Sequence, residues 1–124
     1  MMNRFWLTIA ALSGFLCVAL GAFGAHALKN VLDSYGRDIY EKAVQYQMFH
    51  TVALLLAGIL QNYYPHHSFA VAAWSFLLGI ILFSGSLYVL ALTGVKWWGA
   101  VTPFGGLAFL LGWAWLAYAL MRGK

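Results

Sequence analysis

The side chains in this sequence best suited to chemistry are two histidines and the polar residues close to them. His26 and His50 each lie in a long stretch of sequence without charged residues. Histidine binds metals and haem and exchanges protons near neutral pH. Tyr46 and Gln47 precede His50 by one helical turn, and a third polar group follows further along the chain. The predicted polar layer consists of His26, Tyr46, Gln47, His50, Ser84, Ser86 and Tyr88.

This polar layer has several interpretations, which the sequence leaves open. The functional ones are a two-histidine metal or haem site, a proton relay and a polar substrate pocket. The structural one is a pair of neutral histidines that bond to neighbouring helices and fix their register. The sequence has no Cys-x-x-Cys, no His-x-x-x-His and no carboxylate inside an apolar run, so metal binding has little support. On an ideal helix, His26 lies opposite the small residues of its own helix, so the two histidines need not face one centre.

The composition determines what kind of element positions these residues. Of the 124 residues, 64% are hydrophobic and 8% are charged, whereas a soluble domain has roughly 25% charged residues. So few charges cannot cover the water-facing surface of a short folded chain. The composition therefore excludes a soluble globular domain and a disordered chain, and a lone cysteine excludes a disulfide scaffold. It predicts an integral membrane protein.

The spacing of the charges predicts the number of helices. Runs without charge cover Phe5–Leu28, Ala43–Val95 and Trp97–Met121, which are 24, 53 and 25 residues long. A membrane helix needs about 20 apolar residues, so the middle run holds two helices, separated at the polar turn around Pro65. The apolar runs lack the period-two alternation of barrel strands. We predict an all-α, multi-pass bundle that forms a single domain over residues 1–124, with helices near 5–28, 43–63, 69–92 and 102–121.

The charged segment before the second helix is amphipathic. Its apolar residues fall on one helical face, and its charges lie mostly elsewhere, between Asp33 and Lys42. Such a segment either lies in the headgroup region or extends the second helix. Binding of a lipid or a partner by this segment is the functional alternative.

Stripes of small residues predict how the helices pack. In lipid, helices associate through close approach at small side chains and through interhelical hydrogen bonds. The third helix carries such a stripe at Ser68, Ala72, Ser75, Gly79, Leu82 and Ser86. The steps alternate between four and three residues, which favours left-handed packing. The predicted helix-packing residues are Gly14, Cys17, Gly21, Gly24, Ser75, Gly79, Gly105 and Gly112.

The basic residues give a weak indication of orientation. An even number of helices puts both termini on one side, with Arg4, Arg122 and Lys124 there and four basic residues on the other side. The positive-inside rule barely separates three residues from four. The free α-amine and the position of Arg4 favour cytoplasmic termini. The net charge of +4 is scattered over both membrane faces, so we expect no nucleic-acid surface.

Four motifs in order carry a resemblance to a known family. They are Gly21–Leu28 (GAFGAHAL), Tyr46–Thr51 (YQMFHT), Phe83–Tyr88 (FSGSLY) and Thr102–Gly106 (TPFGG). Over essentially its whole length the chain resembles the YgdD family of small, uncharacterised bacterial inner-membrane proteins. The resemblance implies a four-helix protein of the bacterial inner membrane. It implies no reaction and no catalytic residue.

These observations favour a non-enzymatic function. The three acidic residues cluster in the first loop, and no nucleophile elbow or phosphate-binding loop accompanies them. We expect a helical bundle that acts through contacts with membrane lipids, a second copy or another membrane protein, without cofactor or metal. The alternative is a small transporter or channel with a polar pocket around His26 and His50. A third hypothesis is a haem or redox protein.

Overall fold

Four helices long and apolar enough to cross a membrane make up residues 3–122, the part of the chain that the computed structural model describes. This count confirms the predicted all-α multi-pass fold. The first two helices are α1, Phe5–His26, and α2, Ser34–Tyr63. The third spans Phe69–Thr93 and consists of α3 (Phe69–Gly79), a π-helical turn (Ile80–Ser84) and α4 (Gly85–Thr93). A 3₁₀ turn, Lys96–Ala100, leads into the fourth helix, α5, Thr102–Met121. Lys124, one of the orientation charges, lies outside the described residues.

Helix α2 is longer than predicted. It begins at Ser34, where the Asp33 carboxylate accepts a hydrogen bond of 2.7 Å from the Gly36 backbone N–H and caps the helix. The amphipathic segment therefore extends the second helix and does not form a separate element. Its 30 residues span about 45 Å at 1.5 Å per residue, more than the roughly 30 Å of bilayer hydrocarbon. Helix α1 is shorter than predicted and ends at His26.

The third helix contains a π-helical turn that the sequence analysis did not predict. The Gly85 backbone N–H bonds to the Ile80 carbonyl, five residues earlier, so this turn holds one extra residue. The predicted stripe assumed regular α-helix and placed Leu82 at the seam. Leu82 is half-buried, whereas Ser84 is fully buried and its hydroxyl donates 2.8 Å to the Ala43 carbonyl of α2.

The bundle has α2 and the third helix at its centre. Helix α2 packs against α1, α3 and α4, whereas α5 packs mainly on α3 and the π-helical turn. The beginning of α1, the turn after α2 and the end of α5 lie at one end, where Asn3 bonds to Asn62 and the Trp115 indole bonds to the Ser68 carbonyl. We call this end the Asn3 face. The opposite end, with residues 27–33 and 94–101, is the Lys29 face.

The small residues of α1 face α2. A Cβ added to Gly14 or Gly21 would lie 3.7 Å from Thr51 or 3.5 Å from Val44, both ordinary contacts. At Gly24 an added Cβ would overlap the Tyr40 ring. The Cys17 thiol is buried and donates 3.5 Å to the Val44 carbonyl.

The small residues of the third helix and α5 face one another. A Cβ at Gly79 would overlap the Phe109 ring, and one at Gly112 would lie 2.7 Å from the Phe76 ring and 3.2 Å from the Ser75 Cβ. At Gly105 the obstacle is backbone: the added atom would lie 2.6 Å from the Phe83 Cα. These glycines let α5 approach the third helix closely. The left-handed sense of the packing stays a prediction.

Candidate functional site

A buried glutamine links three of the four membrane-spanning helices. Gln47 of α2 donates through Nε2 to the Ser13 carbonyl of α1 at 3.2 Å. Its Oε1 accepts a hydrogen bond of 2.7 Å from the Tyr88 hydroxyl of α4. Ser13 and Thr51 share a hydrogen bond of 2.6 Å between their hydroxyls. We call Ser13, Gln47, Thr51 and Tyr88 the Gln47 network.

Helical spacing explains how α2 supplies this network. Tyr40, Gln47 and Thr51 recur at intervals of seven and four residues, so they share the face of α2 turned toward α1 and α4. The Tyr40 hydroxyl donates to the Leu20 carbonyl of α1, and its ring meets the Tyr88 ring edge-on at 5.2 Å. The network therefore stabilises contacts among α1, α2 and the third helix.

His50 lies on a different face of α2, turned toward α5. It is buried, and its Nδ1 lies 2.8 Å from the Tyr46 carbonyl while its Nε2 lies 3.1 Å from the Trp113 indole nitrogen. A carbonyl only accepts and an indole N–H only donates, so Nδ1 carries the proton and Nε2 accepts. This assignment makes His50 neutral and leaves neither ring nitrogen available to a metal.

The His50 ring is also held by aromatic contacts. It stacks on Phe109 with ring centroids 3.4 Å apart and planes 8° apart. Phe49 and Phe76 approach it at 5.2 and 5.8 Å. Stacking and two hydrogen bonds together fix the orientation of the imidazole.

Beside His50, a groove of about 630 Å³ runs between α2 and α5. Phe49, Leu107 and Leu110 on its walls are exposed on the lipid side. We call it the aromatic groove. Its lining residues are Tyr46, Phe49, His50, Phe83, Pro103, Gly106, Leu107, Phe109, Leu110 and Trp113.

The predicted polar layer does not form one site. His26 is exposed at the end of α1 and lines a separate cleft with Lys29. His26 and His50 are not brought together, because α1 packs on the Gln47 face of α2 and His50 faces α5. Gln47 and Tyr88 do meet, and Tyr46 contributes its carbonyl to His50 while its ring lines the groove.

The two serines of the layer make separate contacts. Ser84 bonds to α2, as described above, and Ser86 shares a hydrogen bond of 2.6 Å with the Thr102 hydroxyl at the start of α5. Three hydrogen-bond partners within the apolar spans were not predicted from the sequence: Ser13, Thr51 and Trp113. Ser13 and Thr51 are hydroxyl residues at membrane depth, which was the available signal.

Buried polar groups within residues 3–122 are satisfied internally. Every buried side-chain nitrogen and oxygen there has a hydrogen-bond partner. The same residues contain no cluster of three His, Cys, Asp or Glu side chains that could hold a metal ion. The Gln47 network and the His50 contacts therefore bond helices to one another, and the aromatic groove provides an apolar surface.

The sequence itself places the chain in a family. The family model described as "Protein of unknown function (DUF423)" matches residues 20–106, well over half of the chain. The chain belongs to the DUF423 family. Its DUF423 relatives include a UPF0382 membrane protein of Haemophilus influenzae, 44% identical over 99% of this chain and 98% of its own length. The UPF0382 inner membrane protein YgdD of Escherichia coli is 42% identical over 100% of this chain and 95% of its own length.

A third DUF423 relative is the UPF0382 membrane protein SAB0533 of Staphylococcus aureus, 39% identical over 96% of this chain and 97% of its own length. No solved structure matches the chain. The relatives confirm the resemblance to the YgdD family, for which no specific function is named. Together with the four apolar helices, they identify this DUF423 protein as a multi-pass membrane protein.

Proposed function

We propose that this DUF423 protein is a non-enzymatic membrane protein that holds the apolar chain of a lipid in the aromatic groove. The observation that carries the proposal is the separation of polar and apolar surface. The buried polar side chains of residues 3–122 have hydrogen-bond partners within the protein, whereas the groove is lined mostly by aromatic and aliphatic groups and opens toward lipid. An occupant of such a groove gains contact area and needs no hydrogen bonds.

The shape of the groove favours a lipid chain over a transmembrane helix. Helices associate in membranes through small residues that let their backbones approach. Here Gly106 is the one small residue among large side chains such as Phe49 and Trp113. From Pro103 to Trp113 the groove follows eleven residues of α5, which are separated by ten rises of 1.5 Å or about 15 Å in total. That length equals half of the roughly 30 Å hydrocarbon core, the depth of a single leaflet.

The transporter hypothesis and the haem hypothesis each depend on a geometry of the histidines that this arrangement does not support. The transporter hypothesis required a pocket shared by His26 and His50, and the two lie on different sides of α2. Haem ligation by His50 requires a free ring nitrogen, and both nitrogens already have partners. A lipid chain in the groove leaves those bonds intact.

Filling the groove is expected to displace the lipid. In Gly106→Leu the new side chain projects beside the Phe83 ring, where an added Cβ would lie at an ordinary 3.8 Å. We expect several-fold less cross-linking of the protein to a phosphatidylcholine that carries a diazirine in its acyl chain. The measurement is mass spectrometry of the cross-linked protein reconstituted in vesicles, with modified peptides mapped to α2 and α5.

The matched control for that variant is Gly85→Leu. An added Cβ at Gly85 has nothing within 4 Å, and Gly85 does not line the groove, so its cross-linking should equal that of the wild type. Cross-links spread evenly over all four helices, unchanged by Gly106→Leu, would contradict the proposal. A stable dimer whose interface covers the groove would instead support contact between two copies.

We also propose that both termini lie in the cytoplasm, so that the Lys29 face is periplasmic in a bacterial inner membrane. The support is the shared position of the beginning of α1 and the end of α5 on the Asn3 face, with Arg4 beside the first helix. A green fluorescent protein fused after Lys124 should fluoresce. Alkaline phosphatase inserted at residues 29–31 should be active. An active phosphatase fused after Lys124 would reverse the orientation.

A further inference from the structure

We propose that the cleft between the end of α1 and the beginning of α2 binds the headgroup of an anionic phospholipid. The cleft has a volume of about 500 Å³ and opens at the Lys29 face. It lies on the α1 side of α2, whereas the aromatic groove lies on the α5 side. The proposal deepens the proposed lipid-binding function, and it stands on different residues.

The mouth of the cleft carries two cations without a carboxylate partner. Lys29 and Arg37 both line it, and neither forms a salt bridge within residues 3–122. The Arg37 guanidinium donates 2.9 Å to the Lys29 backbone carbonyl, which holds it across the mouth. This bond occupies one of its five N–H donors, and the others suit the oxygens of a phosphate diester.

Two of the three neighbouring carboxylates have other partners. Asp38 forms a salt bridge of 2.8 Å with Lys42, and Asp33 caps α2. Glu41 also lines the cleft, so the charges of Lys29, Arg37 and Glu41 sum to one positive charge. This balance favours a headgroup with one net negative charge. A hydroxyl or another polar group of the same headgroup could donate a hydrogen bond to the Glu41 carboxylate.

Below the mouth, in the direction of the bilayer centre, the lining of the cleft is mostly apolar and carries no charge, with Gln45 beside Val44 as a polar side chain. Its floor at Gly21 and Gly24 lacks side chains, and Val44 forms part of the wall. Lys29 lies in the turn after α1 and Arg37 in the first turn of α2, both at headgroup level. Gly21 in α1 and Val44 in α2 lie about one to two helical turns deeper. A phospholipid has this same order of charge and apolar chain. A free phosphate ion would use the mouth and leave the floor empty.

The test compares phospholipids that differ in the headgroup alone. The protein is reconstituted in nanodiscs with equal amounts of phosphatidylglycerol and phosphatidylcholine of the same acyl chains. The protein is then released from the nanodiscs in the mass spectrometer, and the lipids that stay bound to it are counted by native mass spectrometry. We expect the wild type to retain phosphatidylglycerol preferentially. The double variant Lys29→Gln/Arg37→Gln removes both cations. Each removed cation should lower the preference for phosphatidylglycerol by about fivefold, which is the usual contribution of one Lys or Arg at the membrane surface.

Two further variants separate a specific site from general charge and from misfolding. Lys42→Gln/Lys96→Gln removes two cations from the same membrane face outside the cleft and should keep most of the preference. The variant Lys29→Arg/Arg37→Lys keeps both positive charges, so it should keep the preference for phosphatidylglycerol. An equal loss in the two charge-removing variants, or a wild type without preference, would overturn the proposal.

Two more measurements distinguish a lipid headgroup from a free phosphate ion, and the cleft from the aromatic groove. Inorganic phosphate in millimolar excess should leave the preference unchanged, and a loss would indicate a free-anion site and overturn the lipid assignment. Repeating the comparison in Gly106→Leu should leave the headgroup preference intact. Groove cross-linking that persists without headgroup preference would overturn this proposal alone, whereas preference without groove cross-linking would overturn the proposed function alone.

Discussion

Replacing Gly105 by alanine should destabilise the bundle more than any other single-methyl change in α5. The added Cβ would lie 2.6 Å from the Phe83 Cα and 2.7 Å from its Cβ. Because the main obstacle is backbone, no rotamer change relieves it, and α5 must move away from the third helix. We expect a loss of about 1–3 kcal/mol in the free energy of unfolding, the usual cost of overpacking. Denaturation with sodium dodecyl sulfate, followed by tryptophan fluorescence, measures it.

The neighbouring residue gives the matched control for this prediction. At Gly106 an added Cβ would lie 3.8 Å from the Phe83 ring, an ordinary contact. Gly106→Ala should therefore be neutral or slightly stabilising, since alanine favours helix over glycine by about 1 kcal/mol. Equal stability of the two variants would show that α5 does not approach the third helix as closely as Gly105 indicates.

Replacing Gln47 by leucine should disconnect three helices at once. The substitution removes the bond to the Ser13 carbonyl and leaves the Tyr88 hydroxyl without an acceptor in a low-dielectric interior. Interhelical bonds in membranes average about 0.6 kcal/mol and reach about 1.7. We therefore expect Gln47→Leu to lower the unfolding free energy by about 1–3 kcal/mol, including the unsatisfied hydroxyl.

Gln45 provides the comparison on the same helix. It is exposed and lines the α1–α2 cleft, so Gln45→Leu should leave the unfolding free energy nearly unchanged. Tyr88→Phe should recover part of the loss when it is combined with Gln47→Leu, because it removes the stranded hydroxyl. A double variant no more stable than Gln47→Leu would contradict the bond between Gln47 and Tyr88.

The sequence predicted those features that depend on solvent and on local pattern. Hydrocarbon permits few charges and requires runs of about 20 apolar residues, so the four helices could be read from the spacing of ten charged residues. The start of α5 at Thr102 follows from proline at the next position. The placement of the glycines along α1 and α5 follows from the same small-residue rule that operates throughout lipid.

The arrangement of the polar residues was not predictable in the same way. A rotation of about 60° around the axis of α2 separates Gln47, which faces α1, from His50, which faces α5. The sequence does not tell which helices are neighbours, so it does not tell which partner each side chain meets. The π-helical turn adds a residue without a proline or a charge to mark it, so the predicted stripe, which assumed a regular α-helix, does not account for the burial of Ser84. The partner of His50 is an indole 63 residues away, a distance in sequence over which helical periodicity carries no information.

The continuity of α2 has a mechanical consequence. It is one helix from Ser34 to Tyr63, and its first turns carry the charges of the headgroup region while its middle carries Gln47 and His50. Because α2 is hydrogen-bonded without a break, a shift of its first turns in the headgroup region is expected to shift Gln47 and His50 as well. A ligand or partner that moves Arg37 should therefore disturb both polar contacts together.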